Sequence, residues 1–193
     1  MDRECHLLSL DPNAPLVLDT RELARRPGSQ RQVSRSVPAP AELGTVVLQV
    51  PEGDPVGLEL RVESVMEGVL VTGTAQTRAA GECARCLQEI DVHLDVDLQE
   101  LYVYPESDAE DDEAGRVVDD RIDLDPLLRD AVVLALPFRP LCRDDCPGLC
   151  PTCGALLADD PAHGHDEQDD PRWAALAGWT HDDRPGTPGP DEE

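Results

Sequence analysis

Residues 89–99 read Glu-Ile-Asp-Val-His-Leu-Asp-Val-Asp-Leu-Gln. Apolar side chains fall at every second position: Ile90, Val92, Leu94, Val96 and Leu98. Between them stand Glu89, Asp91, His93, Asp95, Asp97 and Gln99. Side chains alternate across a strand, so this period of two defines a half-buried β-strand with an acidic, solvated outer face. The outer acids and His93 read as solvent-facing groups, not as a catalytic carboxylate pair. Tyr102 and Tyr104 continue the strand or leave it.

The β pattern extends upstream. Residues 45–50, 56–65 and 68–77 are rich in Val, Leu and Thr, with Gly and Pro between the first two runs and a tight turn expected at Met66-Glu67. Residues 16–18 suit a short strand. Asp19-Thr20 then offers N-cap oxygens to a short helix over 21–26, closed by Pro27-Gly28. Residues 29–42, with Pro38 and Pro40, read as extended linker or an edge strand. Downstream, 117–124 suits one more strand. A helix is expected to begin with Asp125 as N-cap and Pro126 at its first position, and to run to Leu136 before Pro137. Leu127, Leu128, Ala131, Val132, Ala135 and Leu136 give it a broad apolar face. Asp170-Pro171 repeats the device for a short helix over 171–178.

These elements define an α+β protein: mainly an antiparallel β-sheet or partial barrel, with a packed helix and a C-terminal Cys-rich zinc-knuckle segment. Residues 1–13 and 182–193 are expected to be disordered. Residues 14–181 are expected to form one domain, with a β-rich core and helix over 14–136 and a Cys/His segment over 137–181.

Charge excludes several functions. The chain has 193 residues and a net charge of −25, and all its cations are arginine. Broad binding to nucleic acid replaces counterions with Lys and Arg, and this balance opposes it. Aromatics make up only 3% of the chain, too few for a base-stacking platform. Residues 21–35 run against the trend: Arg21, Arg25, Arg26, Arg31 and Arg35 face one acid, Glu22. This strip is either a contact for RNA phosphate or an acidic partner, or internal neutralisation of the acidic surface, and the second is favoured. Residues 106–113 hold six acids in eight positions and are expected to form a mobile acidic loop without calcium-loop spacing. No apolar run is long enough to cross a membrane and no signal peptide is evident, so a cytoplasmic protein is expected.

In a reducing compartment clustered cysteines favour metal over disulfide. Four fall in Cys142-Arg-Asp-Asp-Cys146-Pro-Gly-Leu-Cys150-Pro-Thr-Cys153-Gly154. A two-residue gap lets both sulfurs of a tight turn point at one ion, with Pro setting φ on entry and Gly tolerating positive φ on exit. Cys83-Ala-Arg-Cys86 has the same gap, and His163 and His165 follow the cluster. Cys5 stands apart as a free thiol. Eight ligands suit two tetrahedral zinc sites: Cys150, Cys153, His163 and His165, with Cys142 and Cys146 joining Cys83 and Cys86. A single site remains open, either Cys142, Cys146, Cys150 and Cys153, or Cys83, Cys86, Cys150 and Cys153. The gaps do not match common iron–sulfur spacing. Four protein ligands leave no open position for a water, so either zinc arrangement is structural.

At these residues the chain resembles the YceD family, the large ribosomal RNA subunit accumulation proteins. The resemblance runs through Asp19-Thr-Arg-Glu-Leu23, Arg26-Pro-Gly28, Cys83-Ala-Arg-Cys-Leu87, Ile122-Asp-Leu124, Leu134-Ala-Leu-Pro137, the Cys142–Gly154 run and Asp170-Pro-Arg-Trp-Ala-Ala-Leu176. Many members with this Cys-rich end carry Cys-x-Cys where this chain has His163-Gly-His165. The resemblance implies a role in synthesis, processing or stability of large-subunit ribosomal RNA, and no catalytic residue.

A non-enzymatic ribosome-biogenesis factor is therefore expected, acting through a ribosomal protein or pre-ribosomal particle. Direct RNA contact has weaker support, and no membrane partner is expected. The alternatives are a zinc-stabilised interaction module unrelated to ribosomes and an enzyme. The enzyme would be a thiol oxidoreductase using a Cys-x-x-Cys pair, or a nuclease with a metal at the acidic loop.

Overall fold

The computed structural model describes residues 10–23, 25–105, 115–165 and 172. In chain order they form β1 (Val17–Asp19), a 3-10 turn (Arg21–Leu23), β2 (Gln30–Pro38), β3 (Leu43–Gly44) and β4 (Leu48–Val50). Then come β5 (Pro55–Ser64), β6 (Gly68–Glu82), β7 (Glu89–Val103), β8 (Arg121–Asp123) and α1 (Asp125–Ala135). Strands β2 to β7 make one six-stranded antiparallel sheet, and β1 pairs with β8 in a second, two-stranded one.

Strand β6 is the spine. One edge takes β5 along residues 69–76 and β4 at 80–81; the other pairs with β7 over its whole length. The alternation of 89–99 has the expected result. Leu94, Val96 and Leu98 are buried and Ile90 and Val92 are half-buried, while the acids and His93 stay exposed. Opposite β7, the inner face of β6 is small: Val69, Val71, Ala75 and Ala79. Gly73, at φ +155, brings β5 close; a Cβ there would meet the Glu59 carbonyl at 2.1 Å. Helix α1 packs on β7 and β3 and buries Leu128 and Val132 in the same core. Each such Leu or Val stabilises the fold by roughly 1.5–3 kcal/mol.

Several expectations need correction. The helix over 21–26 shrinks to the 3-10 turn, because Arg25 adopts a left-handed φ of 49° and turns the chain away. Residues 29–42 are an edge strand in part, β2, whose strand partner among the described residues is β5. The run 45–50 is a strand only from Leu48. Thr45 donates its N–H to the Leu48 carbonyl in a tight turn that leaves Val46 99% exposed. The run 117–124 is a small hairpin, with Val118 paired to Arg121 across Asp119 and Asp120, both at positive φ. At the start of α1 the N-cap position is Leu124, and the Asp123 carboxylate accepts the Asp125 N–H at 2.9 Å. Ala135 is exposed, not part of the apolar face. Residues 1–9 with Cys5, the whole acidic loop 106–113, all of 171–178 except Arg172, and 182–193 lie outside the described residues.

Candidate metal centres

The eight Cys and His residues fall into two groups. Cys83, Cys86, Cys142 and Cys146 form one; Cys150, Cys153, His163 and His165 form the other. Within each group the ligand atoms lie within 4.8 Å of one another, and each group could hold a metal ion. Neither single-site grouping of four cysteines is assembled.

The first group begins at the tip of the β6–β7 hairpin. Its connecting residues fold into a knuckle: the Cys83 N–H donates to the Gln88 carbonyl and the Leu87 N–H to the Cys83 carbonyl, at 2.8 and 2.9 Å. The second group repeats this pattern. The Cys150 N–H donates to the Ala155 carbonyl and the Gly154 N–H to the Cys150 carbonyl, both at 2.8 Å. Spacing indicated both turns, the second from its Cys-Pro-x-Cys-Gly run and the first from the same gap set between two expected strands. Backbone contacts hold the knuckles side by side. The Leu149 N–H donates to the Arg85 carbonyl, and the Arg85 guanidinium donates to the Cys146 carbonyl at 2.9 Å. Gly148, at φ +81, allows this approach: a Cβ there would sit 3.1 Å from the Arg85 carbonyl. The Ala84 N–H, bonded to the Pro140 carbonyl, fixes the chain that leaves α1. Sequence reasoning missed this linking role of Arg85, and no spacing would have revealed it.

In the first group Cys83 and Cys146 place their sulfurs 3.8 Å apart, and Cys86 and Cys142 place theirs 3.7 Å apart. All four are free thiols. Cys83, Cys86 and Cys146 are buried, in a small core completed by Ile90, Leu141 and Leu156. In the second group the Cys153 sulfur lies 3.2 Å from His163 Nε2 and 3.3 Å from His165 Nε2. The two Nε2 atoms are 3.1 Å apart, so both rings aim at one point. Cys150 is buried here while Cys153 and His165 are exposed.

Electrostatics separate the sulfurs. Burial pushes the Cys83 thiol up, but the N–H groups of Arg85, Cys142 and Cys86 aimed at it outweigh burial and bring it down to about 6. At Cys150 the N–H groups of Cys153 and Thr152 do the same, also to about 6. The neighbouring Cys146 sulfur, together with burial, pushes Cys142 up to about 12. At Cys86 the Gln88 N–H pulls down, but burial and the sulfurs of Cys83 and Cys146 leave the thiol raised. Four crowded sulfurs cannot all ionise beside one another; a bound dication removes that conflict.

The arginine strip is placed differently. Arg21 is paired with Asp19, Arg25 with Asp120, and Arg31 with Glu22. Arg25 also lies over the Tyr104 ring at 5.0 Å. Arg31 and Arg35 reach down from β2 to the carbonyls of Asp19 and Val17, tying β2 to β1. Arg26 is exposed.

The fold and its two ligand groups define a mainly β protein with a Cys/His-rich C-terminal segment. The chain belongs to the YceD family: the profile described as "Large ribosomal RNA subunit accumulation protein YceD" matches residues 71–178. It is similar to an uncharacterized protein of Mycobacterium tuberculosis, 50% identical over 167 residues, covering 84% of this chain and 80% of the relative. A Mycobacterium leprae protein, also uncharacterized, is 44% identical over 186 residues, covering 94% and 83%. The uncharacterized protein YlbN of Bacillus subtilis is 29% identical over 96 residues, covering 49% and 56%. No solved structure gives a significant match. Among the described residues no helix is long and apolar enough to cross a membrane.

Proposed function

We propose that this protein is a non-enzymatic, cytoplasmic factor in the synthesis, processing or accumulation of large-subunit ribosomal RNA, with two structural zinc ions. Membership of the YceD family carries the ribosomal part of this reading. The ligand geometry carries the zinc part. A zinc–thiolate tetrahedron with bonds near 2.3 Å has sulfur–sulfur edges of about 3.8 Å, and the sulfur separations of 3.7 and 3.8 Å match them. Residues 14–181 would work as one domain.

Zinc would hold the knuckles in place and carry no reaction, because each set offers four protein ligands. A dithiol exchange role fits poorly with Cys83, which is 0% exposed and closed to an attacking disulfide. The pairing of Arg21, Arg25 and Arg31 with nearby acids favours a protein partner over direct RNA contact. A net charge of −25 suits a basic ribosomal protein.

The test is depletion in cells, with the ratio of large- to small-subunit ribosomal RNA as readout. The ratio is expected to fall and to recover with the wild-type chain. An unchanged ratio would overturn the reading. Arg25→Glu with Arg26→Glu should leave the ratio intact if the strip is internal.

A further inference from the structure

A cavity of about 720 Å³ opens between β7 and α1. Asp97 and Gln99 line it from one face of β7, and Glu100 and Tyr102 from the other. A hollow that touches both faces of a strand runs along its edge. Among the described residues β7 forms a ladder with β6 alone; on its second edge Val103 is engaged, in a parallel bridge to Arg116 with its N–H bonded to the Gly115 carbonyl, and the edge ahead of it carries no strand. A long open edge invites pairing with another chain.

The lining has a definite chemistry. Leu127, Ala131 and Leu134 of α1 supply an apolar wall. Leu134 is 86% exposed, an unusual position for leucine on a helix that packs on a sheet. Asp97, Glu100, Asp123 and Asp130 supply four carboxylates against one cation, Arg116. RNA phosphate would meet those carboxylates and be repelled. A free edge, an apolar wall and an acidic rim together match an extended segment whose alternate side chains are apolar and cationic. Backbone bonds would give affinity, and alternate pockets would give selectivity.

We infer that this groove binds a basic, apolar-alternating segment of a protein partner as an added strand along β7. This rests on the proposed protein-contact role and names its surface.

The test uses the purified full chain, loaded with zinc, and a short labelled synthetic peptide alternating arginine and leucine. Binding is read by anisotropy at physiological salt. Asp97→Asn with Asp130→Asn is expected to weaken it by about tenfold, and Leu134→Ser by a similar factor. Glu89→Gln with Asp95→Asn changes the net charge of the protein equally but lies outside the groove; it is expected to weaken binding by less than about twofold. A peptide with serine for leucine should bind more weakly. Hydrogen exchange should slow at residues 97–101 on binding.

Equal weakening by the two double variants, or equal binding of the serine peptide, would reduce the effect to general acidity and overturn the inference. So would absence of binding, including the case in which sedimentation finds a dimer that fills the groove with a second copy. Peptide binding is read on purified protein, so its failure bears on the groove alone; an unchanged ribosomal RNA ratio bears on the proposed role alone.

Discussion

Leu87 and Gly154 occupy the same position in two knuckles of the same shape. Each follows the second cysteine of a Cys-x-x-Cys turn, at φ 58° and 75°, and each donates its N–H back to the first cysteine's carbonyl. The left-handed conformation is free for glycine and costs another residue about 1–2 kcal/mol. Leu87 bears that cost while 59% exposed, so burial returns little of it. Leu87→Gly is therefore expected to leave stability unchanged or raise it by up to about 1 kcal/mol, the gain being trimmed by the freer unfolded chain. Gly154→Ala, with open space around its Cβ, should cost about 1 kcal/mol through the backbone alone. Urea midpoints would check both; a large loss with Leu87→Gly would mean that its side chain holds something in place.

The two ligand groups should not be equivalent in stability. Cys83 is buried where the β6–β7 hairpin meets the chain leaving α1, whereas Cys153 is exposed. Cys83→Ser is expected to lower stability by about 3 kcal/mol or more, since a lost metal bond is lost folding energy. Cys153→Ser should remove one metal and leave the sheet's melting temperature close to wild type. Calorimetry beside metal analysis separates the two.

Metal removal should act locally. A strong chelator is expected to speed hydrogen exchange along residues 139–157, whose backbone contacts run mainly to the first knuckle and to one another. The amides of β5 and β6 should lose much less protection than that segment, because the core formed by Val56, Val62, Val69 and Val71 lies away from the ligands. Uniform loss of protection would instead make the metals essential to the whole fold.

Asp19 offers a pH test. Its hydrogen bonds to Arg21, side chain first and backbone second, hold its pKa down at about 2 from 3.8. A depressed carboxylate contributes stability above its unfolded pKa and loses it as pH falls through the folded value. The pair is largely exposed, so solvent screening limits its worth to about 0.5 kcal/mol. Asp19→Asn should be less stable by that amount at pH 7, and the gap should close as pH falls through and below about 2. A gap that persists at low pH would assign the effect to the side-chain amide.

What was legible in the sequence was the part set by local pattern. The period of two over 89–99 predicted both the strand and its buried face. Pro126 and Pro137 bracketed α1. Tertiary choices were hidden. Val46 and Val47 look like strand residues, yet among the described residues no strand pairs there and they form a turn. Arg25 ends its helix through a backbone angle that composition does not encode. Cysteine spacing identified the ligands, but the grouping depends on the long hairpin that carries Cys83 and Cys86 to the chain after α1, 63 residues from Cys83 to Cys146. The groove beside β7 was invisible because distant segments build its two walls.

The most direct measurement is metal content per chain, by elemental analysis on protein purified without added metal. Two zinc ions are expected, with one lost in Cys153→Ser and His163→Ala alike. One zinc unaffected by those variants, or no zinc, would contradict the account of two separate four-ligand centres.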